Sequence, residues 1–243
     1  MQKDKWPSPS DTLDLGIDQV DVWRVSLKLT ADSVKLIEST LSMDERERAS
    51  RFHFPADKDR FIAAHRSLRH ILSRYVQCKP GELTFSVNQY GKPSLDNNKL
   101  KFNLSHSGDF ALIAVTQERK VGVDVERIRS DMEIEDIASR NFSKHEVSEL
   151  MALPPEQRVT GFFNCWTRKE AYIKAHGLGL SLPLEDFDVS LTPNEPVILR
   201  ATRPDQQEVA RWTLLSLQVD PGYASAVAVE GKDMQLRLWN WDG

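Results

Sequence analysis

Three carboxylates and one lysine fall on two short segments of the chain in patterns that could do chemistry. In Lys120-Val121-Gly122-Val123-Asp124-Val125-Glu126 apolar and polar residues alternate. On an extended strand Asp124 and Glu126 therefore share one face, while Val123 and Val125 share the other. Carboxylates held side by side repel unless a cation lies between them, and paired oxygens of this kind suit magnesium, which keeps waters and shares substrate phosphates. The plainer alternative is a half-exposed strand with its acids turned to solvent. In residues 162–177 the pattern is helical, with Gly177 as the stop signal. Trp166, Glu170 and Lys174 recur every fourth residue and line one face, which sets a third carboxylate one turn from a cation. A surface Glu-Lys pair has the same spacing and adds only a few tenths of a kcal/mol to helix stability.

Two turns add further polar groups. Asn103-Leu104-Ser105-His106-Ser107-Gly108 leaves an apolar run and gathers hydroxyls, an imidazole and turn amides, a set able to hold a phosphate. Tyr90-Gly91-Lys92-Pro93 offers Lys92 on a Gly-Pro turn. Taken alone, each reads first as a solvated turn.

The elements that must position these residues are legible as periodicities. A strand is expected near residues 19–27, and a helical stretch over 32–75 is clearest at 60–75, where Phe61, Ala64, Leu68, Ile71, Leu72 and Tyr75 repeat at three- and four-residue spacing and Pro80-Gly81 closes the run. Strands are expected at 83–87, 101–104, 110–116 and 120–126. The order then repeats, with helices over 134–152 and 156–176 and strands near 187–191, 197–202, 212–220, 223–230 and 236–241. This predicts an α+β fold of two similar α+β halves, an N-terminal extension over 1–18, one half over 19–127 and the other over 128–243. A ligand cleft is expected where the halves meet.

In order and spacing, residues 46–52, Tyr90 to Pro93, 102–108, Gly122 to Glu126 and Trp166 to Gly177, followed by Gly179-Leu180-Ser181-Leu182, resemble the surfactin-type 4′-phosphopantetheinyl transferases over roughly residues 40–190. The family's G-[IV]-D-[IV]-E and W-x-x-K-E-x-x-x-K signatures are both complete. The resemblance implies a pseudo-dimeric fold with the active site between its halves, and transfer of the phosphopantetheine arm of coenzyme A to a serine of an apo acyl or peptidyl carrier protein. It implies that Asp124, Glu126 and Glu170 surround a magnesium ion on the coenzyme A pyrophosphate, with Lys174 against the same group. Ser105 and His106 match residues that contact coenzyme A phosphates, and Lys92 matches a lysine near the adenylate end. Arg48 falls where many members carry a basic residue for the 3′-phosphate, and Arg66 is a further candidate. Glu45 departs from the pattern, standing where some relatives are basic. Glu170 is the expected general base and Lys174 the expected stabiliser of the leaving group. The alternatives are a magnesium-dependent phosphohydrolase acting on a nucleotide and a non-catalytic coenzyme A-binding module.

Composition bounds the partners. A formal net charge of -4 argues against a protein that coats nucleic acid, since that requires many cations on phosphates. Acidic carrier proteins would need a local basic surface, for which Arg127, Arg129, Arg140 and Lys144 are placed just past the strand carrying Asp124. Cys78 and Cys165 lack metal-ligand spacing and imply neither zinc nor a disulfide framework. The polar start carries Asp11 and Asp14 and does not read as a signal peptide, so a cytoplasmic monomer without membrane attachment is expected.

Overall fold

The computed structural model describes residues 6–10, 13–28, 40–96, 98–203 and 205–243. In chain order its elements are β1 (Gln19–Ser26), α1 (Met43–Ser50), α2 (Pro55–Val76), β2 (Phe85–Val87), β3 (Pro93–Leu95), β4 (Leu100–Ser107), β5 (Phe110–Gln117) and β6 (Val121–Arg127). There follow α3 (Ile134–Asn141), α4 (Lys144–Ala152), α5 (Pro155–His176), β7 (Phe187–Val189), β8 (Leu199–Thr202), α6 (Glu208–Arg211), β9 (Trp212–Ser216), β10 (Tyr223–Glu230) and β11 (Gln235–Trp241). No helix among the described residues is long and apolar enough to cross a membrane.

Of the helical stretch expected over 32–75, residues 32–39 lie outside the described residues. The rest divides into α1 and α2, because Phe54 is extended and Pro55 starts the new helix, where a missing N–H costs nothing. The helical segments expected through 134–152 part at Ser143, whose side chain accepts from the Glu146 N–H while Glu146 accepts from the Ser143 N–H. This capping box was visible in Ser143-Lys144-His145-Glu146 and outweighs the helical periodicity across it. The helix expected to end at Tyr75 ends at Val76, with Gln77 in the left-handed region at φ 54.

Two sheets form the centre. One has the order β11-β1-β5-β4 and the other β6-β10-β9. Sheet membership does not follow the division expected at 127: β6 pairs with β10, and β11 pairs in parallel with β1. Each half thus lends a strand to the other side of that line. Val20, Val22, Leu112 and Ala114 face Val121, Val123, Val125, Val227 and Val229 between the sheets. Trp23, Val25, Ala111, Ile113 and Val115, on the outer face of the first sheet, pack under α2. Ala224, Ala226 and Ala228, on the outer face of the second, pack under α5. The result is helix, sheet, sheet, helix, and each large aliphatic side chain fully buried in it contributes roughly 1.5–3 kcal/mol.

The order β1, α1, α2 and the β4–β5 hairpin recurs as β6, α4, α5 and the β9–β10 hairpin, with the same strand sequence in each sheet. The repetition extends to side chains. Ser42 and Glu45 form a capping box as Ser143 and Glu146 do. Glu45 then pairs with Arg69 at 2.7 Å, and Glu146 with Lys169 at 2.8 Å. Arg69 donates to the carbonyls of Pro80 and Leu83 beneath the Phe85 ring, while Lys169 donates to those of Leu184 and Phe187 beneath the Phe187 ring.

Candidate active site

The site begins where α5 crosses β6. A Cβ on Gly122 would lie 2.1 Å from the Ala171 carbonyl oxygen and 2.3 Å from the Ala175 nitrogen. Only glycine lets the helix backbone lie this close to the strand. That contact brings Glu170 and Lys174 on α5 over Asp124 on β6. Asp124 and Glu126 do share a face, as the alternation predicts, but the face meets the helix instead of solvent: Asp124 is 2% exposed.

The edges of the two sheets meet here as well, joined by side chains of β4. Asn103 Oδ1 accepts from the Val123 N–H at 2.8 Å, Ser105 Oγ donates to Asp124 Oδ1 at 2.8 Å, and Ser107 Oγ donates to Glu126 Oε2 at 2.8 Å. The period of two along β4 aims all three at β6. Asn103 and Ser107 were not singled out from sequence, although their alternation with Ser105 was the available signal. Lys174 Nζ completes the cluster, 2.6 Å from Asp124 Oδ1 and 3.0 Å from Ser105 Oγ.

Negative charge dominates what remains. Burial, then the charge of Asp124, raises the pKa of Glu126, and the same two causes raise that of Glu170 against the opposing pull of Lys174. Asp124 Oδ2 is buried with no hydrogen-bond partner among the described residues. Such an atom costs free energy unless a cation or donor reaches it. Among the described residues no three His, Cys, Asp or Glu side chains converge tightly enough to enclose a metal ion by themselves. The donor set fits an open site, since magnesium commonly takes one or two carboxylates and completes its shell with waters and phosphate oxygens.

Two connected clefts lead away. One of about 280 Å³ is lined by Glu170, Lys174, Asn103, Tyr90 and Gly177. It meets, at Gly91 and Pro93, a second of about 370 Å³ that holds Arg48, His65, Glu45 and Arg69. His106 projects from β4 toward this second group, and its pKa is lowered by crowding against protein and by the neighbouring cations His65, Lys174, Arg48 and Arg60. Arg48, Lys174 and His106 are thus brought to one basic region, with His65 and Arg60 as members not read from sequence. Burial alone would raise the Glu45 carboxyl, but hydrogen bonds from His65, the Ser42 amide and Arg69 hold it down to about 2. Glu45 is thereby committed to partners inside the fold. Arg66 lines neither cleft, and its charge adds to the burial that lowers the pKa of His70. Lys92 lines the first cleft, but its ammonium is turned inward to the carbonyls of Val121, Lys174 and Ala175, and burial next to Lys120 and Lys101 lowers its pKa to about 8.

A third cleft, of about 140 Å³, lies at Glu126 and is floored by Met132, Ile137, Phe162 and Trp166, with Arg129 at its side. Trp166 stacks on Phe162 at 6.0 Å between ring centroids. Lys169, the lysine inside the Trp166–Lys174 signature, stays out of all these clefts as the buried partner of Glu146.

Comparison with known proteins gives the family. Residues 120–228 match the 4′-phosphopantetheinyl transferase superfamily, and residues 27–118 match the N-terminal family of 4′-phosphopantetheinyl transferases. The chain is 38% identical to the 4′-phosphopantetheinyl transferase HetI of Nostoc sp., over 99% of its own length and 100% of that protein's. It is 34% identical to the 4′-phosphopantetheinyl transferase Sfp of Bacillus subtilis, over 80% of this chain and 84% of that one. It is 32% identical to the 4′-phosphopantetheinyl transferase ffp of Bacillus subtilis, over 84% and 89% respectively. With both parts of the chain matched and the carboxylates, serine and lysine assembled at one junction, the chain belongs to the 4′-phosphopantetheinyl transferase family.

Proposed function

We propose that the protein transfers the 4′-phosphopantetheine arm of coenzyme A to a serine of an apo acyl or peptidyl carrier protein. The observation that carries this reading is the junction of Ser105, Asp124, Glu170 and Lys174 at the head of a cleft that runs on to a basic region. The pyrophosphate belongs at the junction, and the adenosine end belongs with Arg48, His65 and His106.

The carrier serine oxygen attacks the phosphorus that bears the pantetheine arm. A new P–O bond forms, the bond to the bridging oxygen breaks, and adenosine 3′,5′-bisphosphate leaves. Glu170, half-buried in the cleft wall beside Lys174, takes the serine proton. Lys174 sits where it neutralises charge growing on the departing oxygen. Asp124, through its partnerless Oδ2, and one of Glu126 and Glu170 would hold a magnesium ion. When bound, that ion supplies charge neutralisation on the pyrophosphate. The Glu126 cleft, with Arg129 beside an apolar floor, is the surface suited to an acidic carrier, and Arg127, Arg140 and Lys144 would extend it. The protein acts as a monomer whose two halves, related by pseudo-twofold symmetry, share one site. The coenzyme A donor and the two unpaired thiols, Cys78 and Cys165, fit a cytoplasmic setting.

The test is to incubate the protein with coenzyme A, magnesium and a panel of apo carriers and to read intact mass. Covalent gain of the arm on the carrier supports transfer. Free phosphopantetheine released without any carrier would replace it with hydrolysis.

A further inference from the structure

Lys92 lies in the cleft wall, yet its ammonium is committed elsewhere. Nζ donates to the carbonyls of Lys174 at 2.6 Å, Ala175 at 3.0 Å and Val121 at 3.1 Å. An ammonium has three N–H groups, so three carbonyls exhaust it. Two of those carbonyls belong to the last turn of α5, where helix geometry leaves C=O groups without intrahelical partners and where a positive charge meets the negative end of the helix dipole. The third opens β6, one residue before Gly122 and three before Asp124.

The turn that presents Lys92 is built to hold it there. Asn88 Oδ1 accepts from the N–H groups of Tyr90 and Lys92, each at 2.9 Å, and the Asn88 N–H donates to the Lys92 carbonyl at 3.0 Å. Asn88 Nδ2 reaches across to donate to the Gly177 carbonyl at 2.8 Å. Gly177 has φ 73, and a Cβ there would come within 2.8 Å of Lys92 Cδ. The helix cap is therefore shaped around the lysine stem.

We propose that Lys92 is a positioning residue: its ammonium clamps the C-terminal end of α5 to the start of β6, sets the spacing of Lys174 from Asp124, and does not bind a donor phosphate. The catalytic consequence rests on the transfer reading above. Displacing Lys174 from Asp124 by about 1 Å suffices to cost up to about 100-fold in rate.

Two variants separate a clamp from a phosphate ligand. Lys92→Met removes the charge. Lys92→Arg keeps it, but a planar fork cannot serve three carbonyls converging on one point. Both are assayed with coenzyme A and with 3′-dephospho-coenzyme A, and amide hydrogen exchange is followed at residues 174–178 with α2 as the internal reference. The expected result is kcat lowered about tenfold or more in both variants, KM for coenzyme A within about twofold of wild type, an unchanged preference between the two donors, and faster exchange confined to 174–178. A wild-type-like Lys92→Arg, with Lys92→Met raising KM for coenzyme A alone, would overturn the proposal and make Lys92 a phosphate ligand. If the unmodified protein transfers to no apo carrier, the reading of the reaction fails. The exchange comparison then decides the clamp by itself, and unchanged exchange at 174–178 sinks it.

Discussion

Lys174 meets Asp124 through one carboxylate oxygen only: Nζ lies 2.6 Å from Oδ1, while Oδ2, equally buried, has no partner among the described residues. Lys174→Ala is therefore expected to act twice. It leaves a carboxylate that is 2% exposed without its cation and with the Ser105 hydroxyl as the remaining donor to Oδ1, at a cost of about 1–3 kcal/mol, and removes the cation set against the leaving phosphate, at a cost of about 100-fold or more in kcat. Urea unfolding measures the first effect and intact-mass kinetics the second. A variant of normal activity would take Lys174 out of the reaction.

Glu170 is the opposite case, since its surroundings on balance oppose its charge. Its folded pKa is raised by burial and by Asp124. A raised carboxyl pKa means that ionisation opposes folding, with the penalty fully present above the folded pKa and relieved as pH falls. Glu170→Gln is thus expected to abolish transfer while leaving Tm equal to or above wild type in metal-free buffer. Magnesium should then raise the Tm of the wild type more than that of the variant, because a ligand that binds only the folded state stabilises it in proportion to its affinity. Equal responses of the two proteins would remove Glu170 from the proposed metal ligands.

The strand alternation around Asp124 and the four-residue spacing of Trp166, Glu170 and Lys174 were readable because each is a periodicity of a single element. What the elements pack against was not. Nothing local tells Lys92, whose ammonium is turned inward, from a lysine facing a ligand, since its three carbonyls come from β6 and from the far end of α5. Likewise Lys169 and Lys174 lie five residues apart on one helix, yet the first is fully buried against Glu146 and the second reaches the cleft. The placing of β6 with β10 was hidden for the same reason: β6 follows β5 closely in sequence, and its true neighbour arrives only at Tyr223.

Gly122 tests the helix–strand contact directly. A methyl group there meets backbone atoms of α5 at 2.1 and 2.3 Å, which no rotamer change relieves. Gly122→Ala is expected to destabilise the fold by about 1–3 kcal/mol and to lower kcat, because the helix that carries Glu170 and Lys174 must retreat from β6. Gly81→Ala, at a position with open space around it, is the control expected to leave both quantities near wild type. Loss of stability with full retention of kcat in Gly122→Ala would show that the approach of α5 to β6 serves packing alone.

Glu45 sets the acid limb of stability in the first half. His65, the Ser42 amide and Arg69 hold its carboxyl down to about 2, against an ordinary value of 4.5. A depressed folded pKa contributes stability that is present above the unfolded value and is lost as pH falls from there toward the folded one, here between about 4.5 and 2. Protonation of Glu126 and Glu170, whose folded pKa values are raised, works in the other direction and comes first, at pH above the ordinary carboxylate value, so the readout must be a difference between proteins. Glu45→Gln keeps the shape but not the charge, and its deficit relative to wild type in urea unfolding is expected to be largest at neutral pH and to shrink as the pH approaches about 2.5. A deficit that stays constant with pH would mean that the cap and the packing of Glu45 matter, and its charge on Arg69 does not.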